Sequence, residues 1–162
     1  SNNPQIEKAL HSIAKQSGIV GTELAQFLAQ IKHESWDFSK MIEKASGKKY
    51  DKKHSPQLAK SLGNTKPGDG ERYKGRGFIG LTGKYNYDQA GKALDLPLVK
   101  QPELASRPDI AAKIAVWYWK SRVANKVKNF HNTKQVTKAI NPAGKGLQSR
   151  QDQFKSYQVA MR

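Results

Sequence analysis

The chain has 162 residues, no cysteine, and 29 lysines and arginines against 13 aspartates and glutamates, a net charge of +16. That length suits a single domain, residues 1–162, whose core needs no covalent staple, and the absence of cysteine excludes disulfides and thiolate metal sites. The four histidines, at 11, 33, 54 and 131, follow no metal-ligand spacing, so neither metal nor cofactor is expected, and so strong a basic balance points to an anionic partner.

In chain order, Asn3 and Pro4 open a helix over about 4–16, with Ile6, Leu10 and Ile13 on one face and Gly18 closing it. A second helix starts after Gly21 and Thr22 and runs to about Ser35. On its apolar side Phe27, Ile31 and Glu34 share a stripe flanked by Leu24 and Leu28, so Glu34 occupies a leucine-like position. Ser35, Trp36 and Asp37 are mediocre helix formers, and a chain reversal there would carry Glu43 across from Glu34.

Residues 44–75 read as loop, with one or two helical turns near 56–62. The segment GRGFIGLTGKYNY, residues 75–87, places Thr82 as N-cap of a helix over about 83–94. As a phosphate loop it fails, because GRGFIG is not followed by GKS or GKT and no strand–loop–helix context of the right length surrounds it. Pro97, Pro102 and Pro108 mark a connection, Ser106 caps a helix reaching about Ser121, and Ile110, Ile114, Trp117 and Tyr118 line its face as core. A short helix from Asn132 or Thr133 to Ile140 and a last one from Leu147 to Met161 complete a mainly α chain with at most a short β-hairpin.

No apolar run approaches the roughly 20 residues that span a bilayer, and no signal-like stretch opens the chain. It begins at Ser1 without methionine, which leaves room for a longer parent protein.

Two carboxylates, one protonating a leaving oxygen and the other activating water, are the minimal equipment for glycoside hydrolysis. Partial burial suits Glu34 to the acid role, and the basic surroundings of Glu43 suit it to the base role. On spacing alone, a solvated or salt-bridged glutamate is the ordinary reading of either. Asp37, Asp51, Asp69 and Glu71 also stand near in sequence, Glu71 being the main rival as base. His33 is read as a structural hydrogen-bonding residue. Arg76, between two glycines, either grips a carboxylate or anchors its loop. Tyr50, Tyr73 and Trp36 offer faces on which sugar rings stack, with core packing as the alternative for Trp36.

The strings AQFLAQIKHES, GDGERYKGRGFIGLTGKYNY, QPELASRPDIAAKIAVWYWKSR and VTKAINPAGKGLQSRQ occur in this order over about residues 20–155. Together they resemble glycoside hydrolase family 19, which holds plant-type chitinases and many phage endolysins. The resemblance implies a lysozyme-like, two-lobed helical domain with a substrate cleft, and inverting cleavage of a β-1,4 bond beside an N-acetyl sugar. It implies Glu34 as general acid, Glu43 as the second carboxylate, Thr82 as holder of the water, Asn86 as a sugar contact, and Asn141 and Arg150 at the cleft. Gly80 stands where the family usually has glutamine, and Pro142-Ala143 replace its glycine pair.

The short loop after Glu43 favours the endolysin branch: a monomeric, phage-encoded enzyme acting on bacterial peptidoglycan, free or carried in a virion. The basic surface would then face the wall or anionic envelope lipids. A chitinase of the same family is the first alternative. The second is a non-catalytic basic module on wall polymer or nucleic acid, although no helix-turn-helix, RNP or OB pattern supports a specific nucleic-acid partner.

Overall fold

The computed structural model describes residues 1–161, and its helices follow the glycine and proline punctuation of the sequence. They are α1 (Pro4–Gln16), α2 (Gly21–Glu34), α3 (Pro56–Ser61), α4 (Asp69–Arg72), α5 (Lys84–Leu94), α6 (Pro108–Tyr118), α7 (Thr133–Ile140) and α8 (Leu147–Ala160). Three 3-10 turns, at Lys48–Tyr50, Pro102–Ser106 and Ala124–Lys126, and a π-helical turn, Trp119–Val123, join them. The expected hairpin reduces to two isolated antiparallel bridges, Ile42 with Arg76 and Arg76 with Leu81. No helix among the described residues is long and apolar enough to cross a membrane. The chain forms two compact units, one of Ser1–Ser39 with the segment from Ala115 onward, the other Lys40–Ile114.

The first unit is built on α2. Residues 24–31 are all buried, so the helix is enclosed on every side and not along one stripe only. Phe27 meets Trp119 edge to face at 5.4 Å, and Trp119 donates its indole N–H to Glu23 Oε2 at 3.1 Å. α8 lies along α2, where Phe154 packs on Ala25 and Ala29.

α2 stops at Glu34 because Trp36, Asp37 and Phe38 all take left-handed backbone, with φ of 50, 61 and 64°. Non-glycine residues rarely do so in succession. Ser35 secures the reversal by donating Oγ–H to Ile31 O at 2.7 Å and accepting Phe38 N–H at 3.0 Å, while Phe38 is fully buried. Asn3 precedes α1, yet its side chain does not cap that helix: its amide donates to Asp37 O at 2.9 Å.

In the second unit Tyr73, Phe78, Leu81, Tyr87, Leu98 and Ile110 form the core. Two expected caps are corrected here. Gly83, with φ 92°, precedes α5, and Thr82 donates its hydroxyl to Gly80 O at 2.7 Å. Ser106 ends the Pro102–Ser106 turn, its hydroxyl bonded to Glu103 O, and does not cap α6. Asn132 does cap α7, accepting Gln135 N–H at 3.1 Å.

Candidate functional site

Glu34 closes α2 with its side chain 30 % exposed. Arg150, on α8, donates Nη2–H to Glu34 Oε1 at 2.9 Å. The same guanidinium donates Nη1–H to Gln30 Oε1 at 2.7 Å and Nε–H to Lys145 O at 3.0 Å. Only 1 % of Arg150 is exposed, so it lies behind the carboxylate and is not presented to a sugar.

His33 meets Ser149 Oγ through Nδ1 at 3.3 Å, in keeping with a structural role. Its ring packs so closely on Gly146 that a Cβ built there would lie 2.3 Å from Nε2; with φ 76° as well, only glycine fits. Burial, and then the nearby Arg150 charge, lowers the His33 pKa below its ordinary value, with Glu34 opposing. Burial raises the Tyr118 phenol, and Glu34 adds to that shift. Asn141 ends α7, where its side-chain oxygen accepts Ala143 N–H at 3.1 Å and shapes the turn through Pro142.

Glu43 belongs to the second unit and is half-buried beside the Ile42–Arg76 bridge. Its Oε1 accepts Gly75 N–H at 2.6 Å, and its own N–H donates to Gly75 O at 3.0 Å. Tyr50 donates its hydroxyl to Oε2 at 3.2 Å. Burial, then the Glu43 charge, raises the Tyr50 pKa, which keeps that phenol a donor. A Cβ built at Gly75 would lie 3.3 Å from Thr82 Oγ1 and 3.5 Å from Glu43 Oε1. The hydroxyl and the carboxylate thus both stand beside this one glycine. Asn86 stands in the first turn of α5 and donates Nδ2–H to Thr82 O at 2.8 Å.

The structure therefore brings Glu43 and Thr82 together beside Gly75, with Tyr50 bonded to the Glu43 carboxylate and Asn86 to the Thr82 backbone oxygen. Arg76 anchors its loop, as one of the two readings had it, donating to Arg72 O at 2.8 Å and to Tyr87 OH at 3.0 Å. Tyr73 is corrected: it is 2 % exposed, packs on Tyr87 at 5.3 Å and bonds Val99 O, so it offers no sugar platform. Trp36, by contrast, is 61 % exposed. Of the rival acids, Glu71 is exposed in the first turn of α4. Asp51 is buried and accepts the N–H groups of Lys53, Gly68 and Gly70, which lower its pKa and mark it as a loop fastener.

Two residues went unread in the sequence. Gln30 contacts Arg150, and Asn64, 1 % exposed, ties Tyr50 O to the first N–H of α5. For Gln30 a signal existed, because Gln26, Gln30 and Glu34 form a polar line at four-residue spacing through an apolar helix. Concave surfaces lined by Asp88, Lys92, Asp95 and Leu98, and by His131, Lys134, Phe154 and Lys155, include neither Glu34 nor Glu43.

Comparison with known proteins finds relatives over most of the chain. An endochitinase of Arabidopsis thaliana is 39% identical over 118 residues, covering 71% of this chain and 38% of that protein. A glycosyl hydrolase family 19 domain-containing protein of Haemophilus influenzae is 30% identical, covering 95% of this chain and 88% of its own length. Among solved structures, chitinase C of Streptomyces griseus superposes with a TM-score of 0.65 at 27% identity, over 86% of this chain and 59% of the other. The chain thus spans about two fifths of the Arabidopsis protein and three fifths of the Streptomyces chain. The chitinase class I model of family 19 matches residues 11–150, and the chain belongs to glycoside hydrolase family 19.

Proposed function

We propose that this protein hydrolyses the β-1,4 bond between N-acetylmuramic acid and N-acetylglucosamine in bacterial peptidoglycan, with inversion, Glu34 acting as acid and Glu43 as base. Glu34 gives its proton to the departing glycosidic oxygen. Glu43 takes a proton from the water that attacks the sugar carbon, so one water is consumed and the two carboxyls exchange protonation states, to be reset by solvent. The observation that carries the reading is the convergence of the Glu43 carboxylate and the Thr82 hydroxyl beside Gly75, both within 3.5 Å of one built Cβ position, a pair able to hold a water by one acceptor each. Asn86, fixed on Thr82 O, is the sugar contact nearest to them in sequence.

The +16 charge would concentrate the protein on an anionic wall or envelope lipid, in keeping with a phage lytic enzyme, and salt would weaken that attraction. Chitin is the second reading, favoured by the names of the Arabidopsis and Streptomyces relatives. Reducing-sugar release from purified peptidoglycan and from chitin oligomers, by the parent, Glu34→Gln and Glu43→Gln, each shown to be folded, decides between them. Turnover of peptidoglycan that both variants lose supports the proposal. Turnover of chitin alone moves the substrate, and full activity in Glu43→Gln moves the base, with Glu71 next.

A further inference from the structure

Gln26, Gln30 and Glu34 run along α2 at four-residue spacing, the first two fully buried. A buried amide costs free energy unless its polar atoms are paired, and here they are. Gln30 donates from Nε2 to Gln26 Oε1 at 3.3 Å and to Thr137 Oγ1 at 3.2 Å. Gln26 donates in turn to Thr133 Oγ1 at 2.9 Å. With both N–H bonds of Gln30 engaged, its oxygen is held toward Arg150 Nη1, 2.7 Å away. Arg150 therefore meets two acceptors one turn apart on one helix, a neutral amide at Gln30 and a carboxylate at Glu34.

We propose that Gln30 is a positioning residue for Glu34: its neutral, doubly anchored amide aims Arg150 so that the guanidinium delivers one N–H to Glu34 Oε1 and gives its charge to that carboxylate alone. The inference rests on Glu34 being the general acid. A carboxylate at position 30 would divide the guanidinium between two anions. The other titratable or charged groups facing this cluster are His33 on α2, Tyr118 at the end of α6, and Arg122 in the π turn. Gln26, Thr133 and Thr137 add no charge.

The test compares Gln30→Glu and Thr137→Val with the parent, with Glu34→Gln as control, reading kcat, KM, the pH–rate profile and the 13C NMR titration of the Glu34 side-chain carboxyl. Gln30→Glu is expected to move the alkaline limb of the rate profile and the carboxyl midpoint upward together by about 1 pH unit. Thr137→Val, which removes one anchor of the amide, is expected to lower kcat severalfold with KM in place. A folded Gln30→Glu whose carboxyl titrates as in the parent overturns the proposal. If Gln30→Glu does not fold, an unchanged kcat in Thr137→Val overturns it instead. Should Glu34→Gln keep its activity, the assignment of Glu34 as acid falls, and the carboxyl titration still decides the role of Gln30.

Discussion

Gly75 and Glu43 hold each other in both directions, the glycine N–H on Oε1 at 2.6 Å and the glutamate N–H on Gly75 O at 3.0 Å. The backbone is thereby part of the carboxylate's geometry. Gly75→Ala would put a methyl 3.3 Å from Thr82 Oγ1 and 3.5 Å from Glu43 Oε1, tight against the first and in contact with the second. Because Gly75 is not a left-handed glycine, the fold should survive, with a melting temperature near that of the parent. Displacing the two groups by a few tenths of an ångström should lower kcat by about 10-fold, short of the roughly 100-fold that a full ångström costs. Parental kcat in a folded Gly75→Ala would show that Glu43 and Thr82 do not act as a pair.

Tyr50→Phe removes the donor on Glu43 Oε2 and leaves the Gly75 bond in place. A hydrogen bond to a charged group contributes about 1.5–3 kcal/mol, and the half-exposed setting of this pair argues for the lower figure. The expected result is a kcat/KM lower by about 10-fold, since 1.4 kcal/mol corresponds to a factor of ten. Steady-state kinetics on soluble glycan fragments reads it.

Helix positions were legible because proline and glycine mark nearly every end: Pro4, Pro56 and Pro108 stand first in their helices, and Gly18 follows α1. The reversal after Glu34 was legible as a break but not in its form, since no glycine announces three left-handed residues. What forces them is tertiary, namely the burial of Phe38 and the hold of residues 2 and 3 on Asp37. Tyr73 and Arg150 misled for a related reason. An aromatic beside a glycine loop, or an arginine in a motif, has the same sequence whether it faces solvent or core, and burial decides which. The Gln26–Gln30–Glu34 line was readable, yet its partners Thr133, Thr137 and Arg150 lie more than 100 residues away along the chain.

His33 gives stability a dependence on acid pH. Burial and Arg150 lower its folded-state pKa below the ordinary 6.5, so the unfolded chain takes up the proton more readily. Its contribution is therefore complete above pH 6.5 and declines as pH falls through the folded value. His33→Gln keeps a hydrogen-bonding side chain against Ser149 and cannot charge. Thermal unfolding followed from pH 7.5 down to 5 should show a smaller loss for this variant than for the parent. Parallel curves would mean that His33 does not titrate differently on folding.

The reversal at 36–38 holds three non-glycine residues in left-handed backbone, where substitutions carry a conformational cost. Asp37, at φ 61°, accepts Asn2 N–H on Oδ2 at 2.9 Å. Its buried Oδ1 has no hydrogen-bond partner, and the Lys32 ammonium stands 3.9 Å away. The Asn2 N–H is the main cause of its lowered pKa, so the stability it adds is present above the usual carboxylate value near 3.8 and is lost as pH falls through the folded value. Asp37→Asn keeps a side chain that tolerates left-handed backbone and loses only the charge, for an expected cost under about 1 kcal/mol. Asp37→Val keeps neither property, and a β-branched residue there should cost about 2 kcal/mol or more. Urea unfolding measures both. If the two variants were equally stable, the left-handed backbone at residue 37 would not survive in solution, and the end of α2 that carries Glu34 would have to be held by Ser35 and Phe38 alone.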